Sequence, residues 1–312
     1  MTKISVIVIT LNSTKFIDPC LGSLFAQEFK DFEAIVVDNG STDGTVGMIE
    51  RNFPQVKLMK NSENLGPSRA RNQGIMTSQG EWVLVLDCDL ILANDFLMKT
   101  SELLRKVAPE VGMLQPKILS TDHKKIYSCG IYFSYLMRFY DMGMGKKETG
   151  VFNKPRNVFG ACSAAAFYRR KMLEEIKEPA GYFDERFFFL AEDVDLSWRA
   201  QNKGWKALFN PDLVCFHEGN SSNTKKEVRQ YLCFRNRLFA IIKNERSLIR
   251  RAFSLVIYDI PRIIYLIFVN RLIFKALKEI FNFSRELNSQ PDYNPPNQGN
   301  FRQEERKPRE VR

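Results

Sequence analysis

The sequence predicts an α/β protein: a mostly parallel central sheet flanked by helices, followed by C-terminal amphipathic helices. Three observations carry this. Between residues 4 and 90, apolar β-branched runs alternate with segments of helical spacing. A strand that returns through a helix lies parallel to its predecessor. Three of the apolar runs end in polar residues, Asn12, Asp38-Asn39 and Asp87-Cys88-Asp89, at the strand ends where open α/β sheets bind ligands.

The elements follow in order. "ISVIVITL" (4–11) is a buried strand, too short and without the cleavage site of a secretory leader. "FIDPCLGSLFAQ" (16–27) has helical spacing, and "FEAIVVDN" (32–39) is a second strand. "STDGTVGMIERNF" (41–53) opens with capping residues and turns helical. "VKLMKN" (56–61) is a third strand, "GPSRARNQGIMTSQ" (66–79) a helix, and "EWVLVLDCDL" (81–90) a fourth strand. Beyond 111 the pattern is mixed. "VGMLQPKIL" and "KIYSCGIYFS" read as strands, and "NVFGACSAAAFYRRKMLEEI" as a small-residue strand and a helix. "FFFLAEDVDLSWRAQNKGW" becomes an amphipathic helix, and "KALFNPDLVCFHEG" closes on a short strand and a histidine.

Charge divides the chain. Of 46 Lys and Arg and 36 Asp and Glu, residues 225–312 hold 19 and 9, so residues 1–224 are neutral and the whole excess of +10 lies in the last quarter. That predicts a catalytic or binding body over 1–224 and an anionic surface as partner of the remainder, with no nucleic-acid face on the body. Residues 225–284 mix aromatic, aliphatic and basic side chains; their longest uninterrupted apolar stretch is "IIYLIFV", and Asp259, Pro261, Arg262 and Arg271 interrupt the rest. A span needs about 20 apolar residues, so the expectation is helices lying on a membrane rather than crossing it. A helical layer packed on the core fits the same pattern. Residues 285–312 are polar and expected to be disordered. The six cysteines show no CxxC pairing, which fits a reducing compartment and argues against zinc or disulfide frameworks.

Several residues could carry chemistry. Asp87 and Asp89 would repel unless a cation intervened, and a hard divalent ion binds one or two carboxylates plus substrate phosphates. A solvated turn explains the same spacing. Asp38 could accept hydrogen bonds from a nucleoside or merely cap a helix. Arg69, Arg71 and Asn72 sit near a helix start, a phosphate-friendly place, or on a solvated face. Glu192, Asp193 and Asp195 follow an aromatic run that could raise a carboxyl pKa and make a general base; the helix dipole also favours acids there. His217 could be a third metal ligand or a structural histidine. No GxGxxG or GxxxxGK[ST] occurs, so neither a dinucleotide fold nor a P-loop is expected.

Taken in order, "SVIVITLNS", "VVDNGSTDGT", "NLGPSRARNQGI", "WVLVLDCDLIL", "GYFDERFFFLAEDVDLSWRAQNKGW" and "HEGNSS" resemble the family 2 inverting glycosyltransferases of GT-A (Rossmann-like) fold, in their rhamnosyltransferase-like branch. The resemblance covers about residues 3–240. It implies Thr10, Asn12, Asp38, Arg71 and Glu192 around the nucleotide sugar, Asp87 near the ribose, and Asp89 on a bridging Mn²⁺ or Mg²⁺. It further implies Asp193 as base and His217 as a ligand in some members. The QxxRW motif and membrane spans of processive members are missing, which implies one sugar per encounter. "EPAGYFDE" departs from the usual Gly-Gly-Phe-Asp-Glu, leaving the acceptor open. A UDP- or dTDP-sugar donor, a lipid-linked saccharide acceptor and a cytoplasmic site at the inner membrane face follow as expectations. Two other classes compete: a sugar nucleotidyltransferase, disfavoured by the lack of a Gly-rich basic loop after the first strand, and a non-catalytic membrane-binding protein.

Overall fold

A computed structural model describes residues 3–219 and 224–289. Its first half follows the expected alternation: β1 (Ile4–Thr10), α1 (Ile17–Phe25), β2 (Phe32–Asp38), α2 (Thr45–Asn52), β3 (Lys57–Lys60), α3 (Pro67–Thr77) and β4 (Trp82–Asp87). All four strands are parallel, with β1 between β2 and β4, and β3 outside β2. Burial on both faces explains their continuous apolar runs. The register sets Thr10 beside Asp38 and Ile9 beside Asp87, so the polar strand ends share one edge.

The second half widens this sheet. It comprises β5 (Leu90–Leu92), α4 (Phe96–Leu104), β6 (Val111–Ser120), β7 (Ile126–Ser128), β8 (Ile131–Phe133), β9 (Phe139–Asp141), β10 (Arg156–Val158), β11 (Ala165–Arg169), α5 (Arg170–Ile176), α6 (Glu192–Asn202) and β12 (Lys206–His217). The order is β10-β12-β6-β11-β4-β1-β2-β3, with β5 on β12 and β7 on β6. β11 runs antiparallel between β4 and β6, while β6 and β12 are parallel to each other.

Three strands differ from the sequence expectation. "KIYSCGIYFS" breaks at Gly130, φ 104°, into β7, which pairs with β6, and β8, which pairs with β9 in a separate sheet. "EWVLVLDCDL" is not one strand: β4 ends at Asp87, and after Cys88 and Asp89 the chain enters β5, which pairs antiparallel with the end of β12. Both edges of β4 are already occupied by β1 and β11, so the continuation needs another partner. The strand ending in His217 is twelve residues long, not short. Its register shifts between Asn210 and Val214, where Pro211 has no N–H for the ladder.

The C-terminal region holds α7 (Lys226–Asn244), α8 (Leu248–Ser254), a π turn (Leu255–Asp259), α9 (Ile260–Val269) and α10 (Leu272–Asn288). α7 is packed, not surface-lying: Phe239, Ala240 and Ile241 join Phe187, Val194 and Trp198 in one cluster, and Phe283 and Leu287 of α10 complete it. The expected membrane-associating surface therefore begins only with α8. Leu248–Val269 forms one helical stretch of 22 residues, mean hydropathy 1.8, long and apolar enough to cross a membrane. The interruptions that argued against such a stretch are absorbed. Pro261 opens α9 directly after the π turn, where a proline is tolerated, and Asp259 is paired with Arg237. α10 continues to Asn288, so residues 285–288 are helical; the rest of the expected disordered tail, from 290, lies outside the described residues.

Candidate active site

The carboxyl edge of the sheet opens into a cavity of about 440 Å³, walled by Arg71, Asp87, Asp89, Glu192, Asp193 and His217 among others. Four elements meet here. The turn from β4 to β5 carries Asp89, and because Leu90 pairs with His217, the Asp89 Oδ1 lies 3.3 Å from His217 Nε2. Asp87, Asp89 and His217 can together offer ligand atoms within 4.8 Å of one another. Both Asp89 oxygens and His217 Nδ1 are buried without a hydrogen-bond partner. Buried charge without a partner is costly, and an oxygen- and imidazole-rich set of this kind fits a divalent cation. Burial lowers the His217 pKa, which favours the neutral, ligating imidazole; the Tyr127 ring lies on it, 4.0 Å between centroids.

Arg71 fastens the centre. It is buried, and its guanidinium donates to Glu192 Oε1 at 2.6 Å, Asp87 Oδ1 at 2.9 Å and the Ser163 carbonyl at 3.3 Å. Arg71 thus bridges two acids of the site. Burial raises the Asp87 pKa to about 7 despite the Arg71 charge, with Asp89 adding to the rise.

The three acids of "AEDVDL" go separate ways, because a helix turns about 100° per residue. Glu192 meets Arg71. Asp193 lines the cavity, accepting from Ser163 N at 3.1 Å. Burial, then the neighbouring Glu192 and Asp141, raise its pKa to about 7. Asp195 points the other way, to Arg199, Lys243 and Asn244. Before this helix, Phe188, Leu190 and Ala191 all have positive φ (62°, 69° and 64°), a costly region for side chains with a Cβ. Asn236 of α7 holds the segment, its Nδ2 reaching the carbonyls of Phe187, Phe189 and Leu190 at 3.0, 2.8 and 2.6 Å.

The nucleoside side is less uniform. Thr10 Oγ1 and Asp38 Oδ1 are buried and unpartnered. Asp38 Oδ2 accepts from Gly40 N and Ser41 N; it closes the turn after β2, while α2 is capped at Gly44. Asn12 is exposed, with φ 49°, and accepts from Thr42 N at 2.8 Å, so it ties two loops together. Asn72 does not face a ligand but clasps Phe183, accepting from its N and donating to its carbonyl, both at 2.8 Å. Gly181 stands where any Cβ would clash with Asn72 Nδ2, so the single glycine of the altered "EPAGYFDE" is needed for this clasp. Exposed Arg69 is 3.8 Å from Glu185.

Sequence reasoning missed Asp141. At the end of β9 it lines the cavity, with Oδ1 unpartnered and its pKa raised by burial. It lies in no motif; only its place beside Asp193 marks it.

Comparison with known proteins agrees with the geometry. The pattern of "Glycosyl transferase family 2" matches residues 5–177. An N-acetylglucosaminyl-diphospho-decaprenol L-rhamnosyltransferase of Mycobacterium tuberculosis is 27% identical over 241 residues, 68% of this chain and 75% of that one. A Methanococcus voltae dolichyl N-acetyl-alpha-D-glucosaminyl phosphate 3-beta-D-2,3-diacetamido-2,3-dideoxy-beta-D-glucuronosyltransferase is 27% identical over 75% of this chain and 72% of its own. Among solved structures, a mannosyltransferase of Pyrobaculum calidifontis, in complex with GDP-Man and Mn²⁺, superposes with TM-score 0.57 at 18% identity, covering 93% of this chain and 76% of that one. S. aureus TarS 1–349 gives 0.55 at 22%, covering 91% and 73%. These likenesses show a common GT-A fold. With more than half of its length matched by the family pattern, the chain belongs to the family 2 glycosyl transferases.

Proposed function

We propose that this glycosyltransferase moves one sugar from a nucleoside-diphosphate sugar, UDP- or dTDP-linked, to a hydroxyl of a lipid-linked saccharide, by a single displacement that inverts the anomeric centre. The observation that carries the reading is Asp193: a carboxylate with a pKa near neutrality, on the wall of the cavity that also holds Asp89 and His217. A general base works best with a pKa near the working pH. Asp193 takes the proton of the acceptor hydroxyl as its oxygen attacks C1 of the donor sugar, and the bond from C1 to the diphosphate breaks. Asp89 and His217, with Asp87 adjoining, would hold Mn²⁺ or Mg²⁺, which supplies charge neutralisation to the diphosphate leaving group. Thr10 and the free oxygen of Asp38 accept from the nucleoside, and Asn12 shapes the loop around it. Arg71 keeps Asp87 and Glu192 in place.

The lipid-linked acceptor is supported by two things. Relatives are named for decaprenol- and dolichyl-linked substrates. In addition, the 248–269 stretch exposes Leu248, Ile249, Val256, Ile264 and Phe268 by 76%, 83%, 58%, 53% and 82%, an apolar face larger than scattered surface residues explain. Laid along the cytoplasmic face of a membrane, it would bring the cavity to a lipid-borne acceptor.

The test is Asp193→Asn. With Mn²⁺ present, a panel of UDP- and dTDP-sugars should still raise the melting temperature of the variant, while turnover falls by roughly 10²–10⁴-fold. Undiminished turnover would remove Asp193 from the base role.

A further inference from the structure

The cavity is also lined by basic side chains from α7, α9 and the β8–β9 turn, and nothing in the chemistry above uses them. Arg229, Cys233 and Arg237 follow one another at i, i+4 and i+8 on α7 and all line the cavity, together with Arg138, Tyr258 and Arg262. Tyr258 is the hub. The guanidinium carbons of Arg237, Arg138 and Arg262 lie 4.7, 4.8 and 5.7 Å from its ring centroid, and Arg262 donates to its hydroxyl at 2.8 Å. The Cys233 thiol feels both Arg229 and Arg262, so the α7 and α9 arginines converge.

Their charges are not balanced alike. Arg237 is buried and fully engaged, by Asp259, Ser254 and the carbonyls of Leu136 and Met137. No carboxylate lies within ion-pairing distance of Arg138, Arg229 or Arg262 among the described residues. Arginines stacked on aromatic faces with spare N–H groups are suited to phosphate oxygens. The apolar 248–269 stretch runs directly from this patch, since Tyr258 and Arg262 belong to it. Charge and apolar surface are thus continuous, as a ligand with an anionic head and a hydrocarbon tail requires.

We infer that Arg138, Arg229 and Arg262 form the subsite for the phosphate or diphosphate of a lipid-borne acceptor, with Tyr258 as its platform and the α8–α9 face beside the hydrocarbon chain. The inference rests on the proposed transfer to a lipid-linked acceptor and names where that acceptor is held. It assigns the anionic head to residues other than Asp87, Asp89 and His217.

The experiment uses the full chain in EDTA, so that no metal recruits phosphate, and titrates three probes: farnesyl diphosphate, farnesol and inorganic pyrophosphate. Farnesyl diphosphate should bind at least tenfold more tightly than either of the others. Arg138→Gln/Arg262→Gln should lose that binding tenfold or more while keeping the wild-type melting temperature, and Arg229→Gln, at an exposed position, should lose part of it. Arg69→Gln, away from the cavity, should bind like wild type. Equal binding by the double variant, or equal binding of farnesol, would overturn the subsite. Pyrophosphate binding as tight as farnesyl diphosphate would overturn the lipid occupant in favour of a soluble phosphate or a phosphate-bearing polymer. A separate Mn²⁺ and nucleotide-sugar melting panel tells the two readings apart. Donor binding with no farnesyl diphosphate binding sinks only the subsite; no donor binding at all sinks the glycosyl transfer reading.

Discussion

Two acidic clusters flank α6, and on ligand spacing alone both could hold a metal: Asp87, Asp89 and His217 on one side, Glu178, Asp184 and Asp195 on the other. They differ in what surrounds them. Lys243 enters the second cluster and lies 2.6, 2.7 and 3.0 Å from Glu178, Asp184 and Asp195, with Arg199 and Arg186 adding further charge. The Lys243 ammonium and its arginine neighbours hold Asp184 and Asp195 below the usual carboxylate range even though burial opposes this. In the first cluster no lysine or arginine among the described residues pairs with Asp89, and both Asp89 oxygens lack a hydrogen-bond partner. One cluster is a closed ion network that joins α6 to α7; the other is a charge deficit that a ligand can fill. Proximity of carboxylates does not distinguish them, but the count of nearby cations does.

That contrast can be broken in three ways. The largest effect is expected from Lys243→Met, which removes the buried cation shared by three carboxylates and leaves Asp184 with Arg186 alone and Asp195 with Arg199. Loss of one partner from a buried network costs about 3–5 kcal/mol, read as a lower urea midpoint; a loss under 1 kcal/mol would deny the network its structural role. Next, Mn²⁺ at about 100 times its dissociation constant should stabilise the wild type by about 2.7 kcal/mol and Asp89→Asn hardly at all. Stabilisation of both alike would place the ion elsewhere. The smallest effect, taken over one pH unit, is in pH. Asp87 and Asp193 have folded pKa values raised to about 7, so between pH 4 and 7 the native state binds more protons than the unfolded chain. Stability of the metal-free protein therefore falls as pH rises through that window. Asp193→Asn should flatten the slope by up to about 1.4 kcal/mol per pH unit. The closed cluster works in the opposite sense: its lowered carboxyl pKa values give stability that is complete above pH 4 and lost as pH falls below it. An unchanged slope in Asp193→Asn would mean that its carboxyl is not raised.

The same contrast explains what the sequence could convey. The parallel half was legible because strands buried on both faces read as apolar runs, and polar residues interrupted them only where they reached the cavity edge. Asp38, Asp87 and Asp89 stood out for that reason, whereas Asp193 was marked by the aromatic run before it. The meeting of Asp89 with His217 was not legible as geometry, since it depends on the three-residue β5 pairing with the far end of β12. Nor was the burial of α7. A basic count cannot tell Arg235, paired with Glu279 44 residues on, from Arg229, which faces the cavity. Asp141 carried no local signal at all, because its neighbours in space, Ser128, Cys162 and Asp193, lie far from it in sequence.

Phe188, Leu190 and Ala191, with left-handed backbone, each cost roughly 1–2 kcal/mol; Ser68 of α3 holds the Phe188 carbonyl, while Asn236 and Arg235 of α7 hold those of Phe187, Phe189 and Leu190. This bears on modularity. Every acid of the site lies before residue 218, yet the conformation that presents Asp193 is maintained from beyond residue 230. A graft that transplanted residues 1–224 onto another C-terminus would carry over the sheet and all the acids, but not the α7 part of the fastening before Asp193. The unit that can be inherited, exchanged or dissected as a working enzyme therefore includes α7, wherever the composition changes.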